Sequence, residues 1–335
     1  MAGWLVLLLG VVAWWAWEKS HRKTRPMPAG LQEHIDLPHE QEFELYHNAL
    51  SLCSMKTRVC MAELQVPYES HHIDLIETGA YENIGRRFLK VNPGGTVPVL
   101  VHKGHPVYES HEQIRYAAQH ALPGSPELIP ADPELRAEME RWIDRSSLAG
   151  NPLEHGEVSI GNAIPGLTMP LFAAMIEQIP IWKILEGVLF HFDPKRPFVF
   201  MAFKFRKLHR LPGLTPVMKI LSRSRRHAAD HLDALEAQLG ASGGPWILGE
   251  AFTLADVSWL VIFERLVQAD WLHVYLGEGR RPLCAAYWEA LKQRPSYAEA
   301  ILGFPHETIA YGTRRIREAK TLSPELREAL EGGVA

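Results

Sequence analysis

Apolar positions follow four successive spacings along this chain. Residues 3 to 17 are apolar without interruption and carry no charge, which predicts a hydrophobic helix. Residues 20 to 41 are polar and broken by Pro26, Pro28, Gly30 and Pro38, the signature of a linker. From residue 42 short runs alternate with longer ones. Strands are expected at 43–48, 68–75, 97–102 and 106–108, and helices at 54–65 and 110–120, with 80–90 partly helical. This is a βαβ unit followed by ββα, an α/β layout that buries one sheet against helices. After Asp132 the strand signals fade, and 133–148, 226–240, 254–269 and 282–293 carry helical periodicity. The expected organisation is an anchor over 1–19, a linker over 20–41, an α/β domain over 42–122, an all-helical domain over 130–310 with an insert at about 150–225, and a tail over 311–335.

Length and composition fit this division. The 335 residues are 47% hydrophobic and 22% charged, ordinary for two globular domains. A net charge of −4 argues against a general nucleic-acid binder. Three cysteines, Cys53, Cys60 and Cys284, are too few for a disulfide framework, and none falls in a C-x-x-C spacing. The 17 histidines include no H-E-x-x-H, and His71 and His72 would point to opposite strand faces, so no metal site is expected.

Charge also orients the N-terminus. Lys19, His21, Arg22, Lys23 and Arg25 follow the apolar run, whereas a secretory signal places its positive charge in front. The reading is a membrane anchor whose following domains face the cytoplasm, with Trp14, Trp15 and Trp17 at the interface; a short span and an interfacial helix both fit. A second basic segment lies in the insert. Between Lys195 and Arg226 there are ten Lys or Arg and no Asp or Glu, interleaved with Phe198, Phe200, Phe203 and Phe205. An anionic membrane surface is the expected partner, with an anionic substrate mouth or an uninvolved surface helix as alternatives.

The candidate chemistry sits at 51–58, Ser-Leu-Cys-Ser-Met-Lys-Thr-Arg, between the first strand and first helix of the α/β unit. A helix N-terminus presents free N–H groups and a partial positive charge, so a thiolate is stabilised there, whether that of Cys53 or of a bound ligand. Lys56 and Arg58 read as solvated helix charges, and Cys60 and Cys284 as core. Asn92-Pro-Gly-Gly-Thr-Val97-Pro98 is a turn leading into a strand; a cis Val97–Pro98 bond would free the Val97 backbone for an extended peptide ligand. Glu109-Ser110 opens the next helix, where Ser110 and backbone N–H groups can receive a carboxylate. Thr253-Leu-Ala-Asp256 is a capping-box variant.

Together these motifs resemble the glutathione transferase superfamily over roughly residues 42 to 305, which implies a thioredoxin-like N-terminal domain followed by an all-helical one. Ser51-Leu-Cys53-Ser54-Met-Lys-Thr-Arg58 is most similar to the tetrachlorohydroquinone reductive dehalogenases near the zeta class. The zeta enzymes, which include maleylacetoacetate isomerase, have Ser-Ser-Cys where this chain has Leu52. The resemblance implies glutathione as cosubstrate, held by Val97 and Pro98 on one side and by Glu109 and Ser110 at its γ-glutamyl end. It implies that Ser51 or Ser54 donates to the glutathione sulfur, and that Cys53 is a second, redox-active thiol. The expected activity is a transferase acting on hydrophobic electrophiles, extending to reductive dehalogenation of halogenated hydroquinones. The alternatives are a non-catalytic, membrane-tethered binding protein of transferase-like fold and a maleylacetoacetate isomerase. A homodimer is compatible with either.

Overall fold

The computed structural model describes residues 2–150, 153–191 and 195–333. The remaining positions, which fall within the anchor, insert and tail expected from sequence, lie outside the described residues. Five strands form one sheet: β1 (Gly30–Leu31), β2 (Phe43–His47), β3 (Glu69–His72), β4 (Val99–His102) and β5 (His105–Tyr108), in the order β1-β5-β4-β2-β3. Only β2 and β3 are parallel, with Glu44 opposite Glu69; β2 and β4 are antiparallel, with Leu45 opposite Leu100. The period-2 alternation of β4 separates the two faces. Leu100 enters the main core, while Val99 and Val101 join Leu37, Phe88 and Tyr108 in a smaller cluster on the opposite face.

Fifteen α-helices accompany the sheet among the described residues. Helix α1 (Ala2–His21) precedes it; α2 (Leu52–Glu63), α3 (Phe88–Val91) and α4 (Ser110–Ala118) belong to the α/β unit. The helical domain contains α5 (Pro133–Arg145), α6 (Ile160–Ile176), α7 (Ile181–Phe190), α8 (Lys195–Arg206), α9 (Thr215–Ser242) and α10 (Leu254–Gln268). It continues through α11 (Leu272–Leu276), α12 (Pro282–Lys292), the single turn α13 (Pro295–Tyr297), α14 (Glu307–Leu322) and α15 (Pro324–Glu331). Helix α6 packs against α9, α14 and α8, and its buried residues run along nearly all of its length.

Several segments depart from the sequence expectation. The linker is not free: Gly30 and Leu31 add an edge strand to β5, and the Leu37 N–H donates to Gly104 O at 2.8 Å. An otherwise open sheet edge is thereby covered. The tail is helical, with Leu326 and Leu330 buried. The insert lies on the first domain as well as the second. A Cβ at Gly187 of α7 would approach the Tyr81 ring to 2.3 Å, so only glycine permits this contact. Arg196 of α8 pairs with the buried Glu77. Helix α1 forms, but Glu18 and Lys19 enter its last turn, and no described helix is long and apolar enough to cross a membrane. The spanning alternative is therefore not supported.

The two domains share α2. Glu63 at its end receives Arg294 Nε and Nη2, each at 2.5 Å, and the Ser296 hydroxyl at 2.5 Å. Arg58 is 1% exposed; its Nε donates to Ala300 O at 2.8 Å and its Nη1 to Asn48 O at 3.1 Å. The sequence reading of Arg58 as solvated is corrected: it faces the helical domain, which a view confined to α2 does not contain.

At the start of α10 the Thr253–Asp256 capping box is formed, and it reaches further than the helix. Asp256 is fully buried and accepts from Thr253 N at 2.8 Å, Ile247 N at 3.0 Å and the Tyr287 hydroxyl at 2.9 Å. Asp256→Ala leaves these donors buried without a partner. At about 1–3 kcal/mol for an orphaned buried group, we expect a loss of about 3 kcal/mol, read as a lower guanidinium midpoint with an unchanged slope. Thr253→Ala removes one cap and should cost about 1 kcal/mol in the same measurement.

Candidate active site

The loop from β2 to α2 is held from beneath by Asn48. Its side-chain amide donates to Ile73 O and to Thr78 Oγ1, both at 2.9 Å, and its Oδ1 accepts the Leu50 N–H. Ser54 completes the hold: it is fully buried, and its Oγ accepts the Asn48 N–H at 3.2 Å. That hydroxyl is engaged in fixing the loop. Ser51 and Cys53 are half-buried at the mouth. Ser51 is the N-cap of α2, accepting from Ser54 N at 3.3 Å, and its Oγ lies 3.5 Å from Val97 O.

Val97–Pro98 is cis, and the Val97 N–H has no hydrogen-bond partner among the described residues. Gln113, which the sequence reading missed, fixes this turn. Its amide donates to Pro98 O and Val107 O at 2.9 Å each, and its Oε1 accepts the Thr57 hydroxyl at 2.9 Å. One buried side chain thus joins the cis-proline turn, the β5 strand and α2. The available signal was a polar residue three positions after Ser110 on an otherwise apolar helix face. Glu109 precedes α4 with φ +67°, which turns the chain sharply and starts the helix at Ser110. Ser110 is buried, and its hydroxyl has no partner among the described residues. A buried hydroxyl at a helix N-terminus fits a carboxylate. Ser51, Cys53, Val97 and Ser110 thus lie on the three segments that meet at the start of α2.

Lys56 is the larger correction. It is 3% exposed, not solvated, and its Nζ donates to His111 Nε2 at 3.2 Å; it makes no ion pair with a carboxylate among the described residues. His111 Nε2 also contacts the Ser147 hydroxyl. Burial, with Lys56 and Arg115 nearby, pushes the His111 ring down to about 3, so it is a neutral acceptor. Burial pushes the Lys56 ammonium down to about 8, while Cys53 and Asp144 pull the other way. Lys56 follows Cys53 by three positions on α2, so the thiol and the ammonium share a helix face.

A separate cleft of about 300 Å³ opens beside Ala49, lined by His72, Asp74, Phe304 and His306. The two histidines and Asp74 are close enough to bracket a metal ion. Their hydrogen bonds are already made: His72 Nε2 meets Asp74 at 3.1 Å, and His306 Nδ1 accepts the Thr308 N–H, which places the neutral ring's proton on Nε2.

This is the glutathione S-transferase fold. The N-terminal domain model of the glutathione S-transferases matches residues 50–120 and the C-terminal domain model matches 219–292. Among curated proteins the chain is 26% identical to a tetrachloro-p-hydroquinone reductive dehalogenase of Sphingobium chlorophenolicum, over 77% of this chain and 95% of that protein. It is 25% identical to the glutathione S-transferase TCHQD of Arabidopsis thaliana, over 77% and 89%. A 2,5-dichlorohydroquinone reductive dechlorinase of Sphingobium indicum is 24% identical, over 79% and 84%. Of solved structures, a β-etherase from Sphingobium sp. strain SYK-6 superposes with a TM-score of 0.63 at 20% identity, covering 78% of this chain and all of that one. Poplar glutathione transferase F1 gives 0.54 at 18% identity, covering 79% and 99%. The family models leave residues 121–218 unmatched, which contain the insert.

Similarity to both domains of the glutathione S-transferases supports glutathione as the cosubstrate, and it gives Lys56 a meaning. The displacement from 10.5 to about 8 corresponds to roughly 3 kcal/mol. The folded-state value is depressed, so the contribution to stability is complete above pH 10.5 and is lost as pH falls through about 8. At neutral pH the charged, buried Lys56 therefore opposes folding. Lys56→Met should raise the unfolding free energy at pH 7 by about 1–3 kcal/mol and abolish the gain in stability between pH 8 and 10.5, measured by denaturant titration.

Proposed function

We propose that this protein is a glutathione-dependent enzyme that reductively dehalogenates halogenated hydroquinone-like substrates through Cys53. The observation that carries the reading is the half-buried Cys53 in the first turn of α2, beside the Ser51 cap and the cis Val97–Pro98 turn. Two thiols can meet there: the ligand's, received at Ser51 and Val97, and the protein's own. Cys60 and Cys284 are excluded from this role by burial, which pushes both thiols far up.

The chemistry follows from that pairing. Glutathione, aligned by the Val97 backbone with its γ-glutamyl carboxylate at Ser110, is deprotonated with help from the Ser51 hydroxyl. Its thiolate displaces halide from the ring and forms a carbon–sulfur bond. The Cys53 thiolate then attacks the glutathionyl sulfur. A sulfur–sulfur bond forms, the carbon–sulfur bond breaks, and the ring carbon keeps the electron pair and takes up a proton. A second glutathione thiolate attacks the mixed disulfide, releasing glutathione disulfide and restoring Cys53. The ring is reduced by two electrons, which two glutathione molecules supply. The relatives named for reductive removal of chlorine from hydroquinones support the substrate class.

The test is intact mass during turnover. With a chlorinated hydroquinone and limiting glutathione, the wild type should accumulate a 1:1 glutathione adduct that dithiothreitol removes. Cys53→Ser should lose the adduct and at least about 100-fold in reductive turnover while still binding immobilised glutathione; Cys284→Ser should behave as wild type. Ser51→Ala should weaken both half-reactions by about ten- to a hundredfold, a general acid or hydrogen-bond contribution. Retention on the resin without an adduct would leave a simple transferase; isomerisation of maleylacetoacetate as the sole turnover would return the isomerase alternative. Absence of glutathione binding would leave a non-catalytic binding protein.

The proposal extends to location: α1 attaches the enzyme to a membrane interface, with the two folded domains on the cytoplasmic side. Its support is the exposure of α1, whose Trp4, Leu5 to Leu9, Val11, Val12, Trp14 and Trp17 are 46–79% accessible.

A further inference from the structure

Large hydrophobic side chains exposed on this protein are unevenly distributed. Among the described residues ten lie on α1, four on α7 and three on α8, with seven scattered over the rest of the chain. Isolated exposed leucines need no explanation, but a concentration on neighbouring elements does.

The three helices are physically joined. Trp15 Nε1 donates to Leu189 O at 3.2 Å, and the Trp14 ring meets Phe190 edge-on with centroids 6.0 Å apart. Arg22 sits over the Phe190 ring and bonds Glu186 at 2.7 Å and Glu18 at 2.8 Å. The last turns of α1 are therefore fixed to α7. The outward stripe of α7, Ile181, Trp182, Leu185 and Leu189, follows the i, i+4, i+8 spacing of one helix face and ends at this junction. Helix α8 packs against α7 and exposes Phe198, Val199 and Phe205.

Charge follows the same surface. Lys23 and Arg25 are exposed beyond α1, and Arg206, Lys207 and Arg210 are exposed at the end of α8, with no carboxylate partner among the described residues. The acidic groups described on these helices, Glu18 and Glu186, are both taken up by Arg22. The body of α1 is apolar on every side, which suits hydrocarbon, since hydrocarbon presents no polar side. Tryptophans cluster at its docked end, where an interface would lie.

We infer that α1, α7 and α8 form a single platform seated on an anionic lipid surface, with α1 inserted, the α7 stripe at the headgroup level and the α8 cations against the lipid phosphates. This rests on the membrane attachment through α1 proposed above and adds that the attachment is rigid. The insert is part of the seat, so the enzyme's orientation over the membrane is fixed through the α1–α7 junction.

Vesicle flotation of the full chain decides it. Phosphatidylcholine vesicles should bind the wild type, and 30% phosphatidylserine should raise its partition by about thirty- to a hundredfold at low salt, as two or three basic residues near a charged surface supply. The gain should vanish in 0.5 M salt and in Arg206→Glu/Lys207→Glu. Trp182→Ser/Leu185→Ser should lower binding to both vesicle types severalfold, with retention on glutathione resin unchanged as the check on folding. Binding that ignores phosphatidylserine and both double variants would overturn the platform while sparing α1 as an anchor. No vesicle binding by the wild type would overturn both. Dimerisation at micromolar concentration in the absence of lipid, blocked by Trp182→Ser/Leu185→Ser, would show instead that a second copy covers the face.

Discussion

The site depends on the burial of charge along α2. A helix whose N-terminus must stay open to a ligand cannot secure itself there, so its hold comes from the remaining length. Arg58 and Glu63 supply that hold by bonding to residues 294–300 of the helical domain. His47 cooperates: Arg58 donates to its Nδ1 at 3.1 Å, which places the proton on Nε2, facing Ser70 Oγ at 2.7 Å. Burial, with Arg58 beside it, pushes His47 down to about 3, so this imidazole stays neutral and does not add a second buried cation. The strand that ends at the loop before α2 and the helix that begins there are thus fastened to one another and to the second domain by the same guanidinium. The cost of burying it is offset by carbonyl and imidazole acceptors fixed in place before any ligand arrives.

Lys56 belongs to the same helix and is treated differently. Arg58 receives acceptors with fixed geometry; Lys56 receives one neutral imidazole and no carboxylate among the described residues. A stable fold has no need of such an ammonium, because Met at this position would fill the space without the desolvation cost. A site that must hold a thiolate or a sulfur anion has a use for it. Local disagreement between folding and chemistry of this kind is expected where function is located.

The parts legible in the sequence are those encoded locally. The thiol at a helix start, the Pro98 turn, the Glu109–Ser110 helix start and the Thr253–Asp256 cap each depend on residues within a few positions, and each is where its motif implied. What was not legible depends on what lies opposite. Lys56 and Arg58 read as surface charges because nothing in 51–58 announces that α4 and residues 298–302 will cover them. Gln113 and Asn48 drew no reading from the sequence, because their value is in joining three segments each. The linker read as a tether because two residues of edge strand leave no periodicity to detect.

The insert shows the same limit in its electrostatics. Ten cations without an acid in sequence suggested one external anion, yet the fold assigns several of them inward. Arg196 is spent on Glu77, Lys204 on Glu177 O, Arg223 on Leu153 O, and Arg225 on the carbonyls of Glu331 and Gly332. Arg196 and Arg225 tie the insert to the first domain and to the last helix, and Lys204 and Arg223 close it on itself, so the charge run is partly a set of internal clamps. The cations left over are not spread evenly. Arg206, Lys207 and Arg210 fall together at the end of α8, next to the apolar elements that carry most of the exposed hydrophobic surface. A charge count along the chain could not make that separation, because it depends on which side chains the fold consumes first.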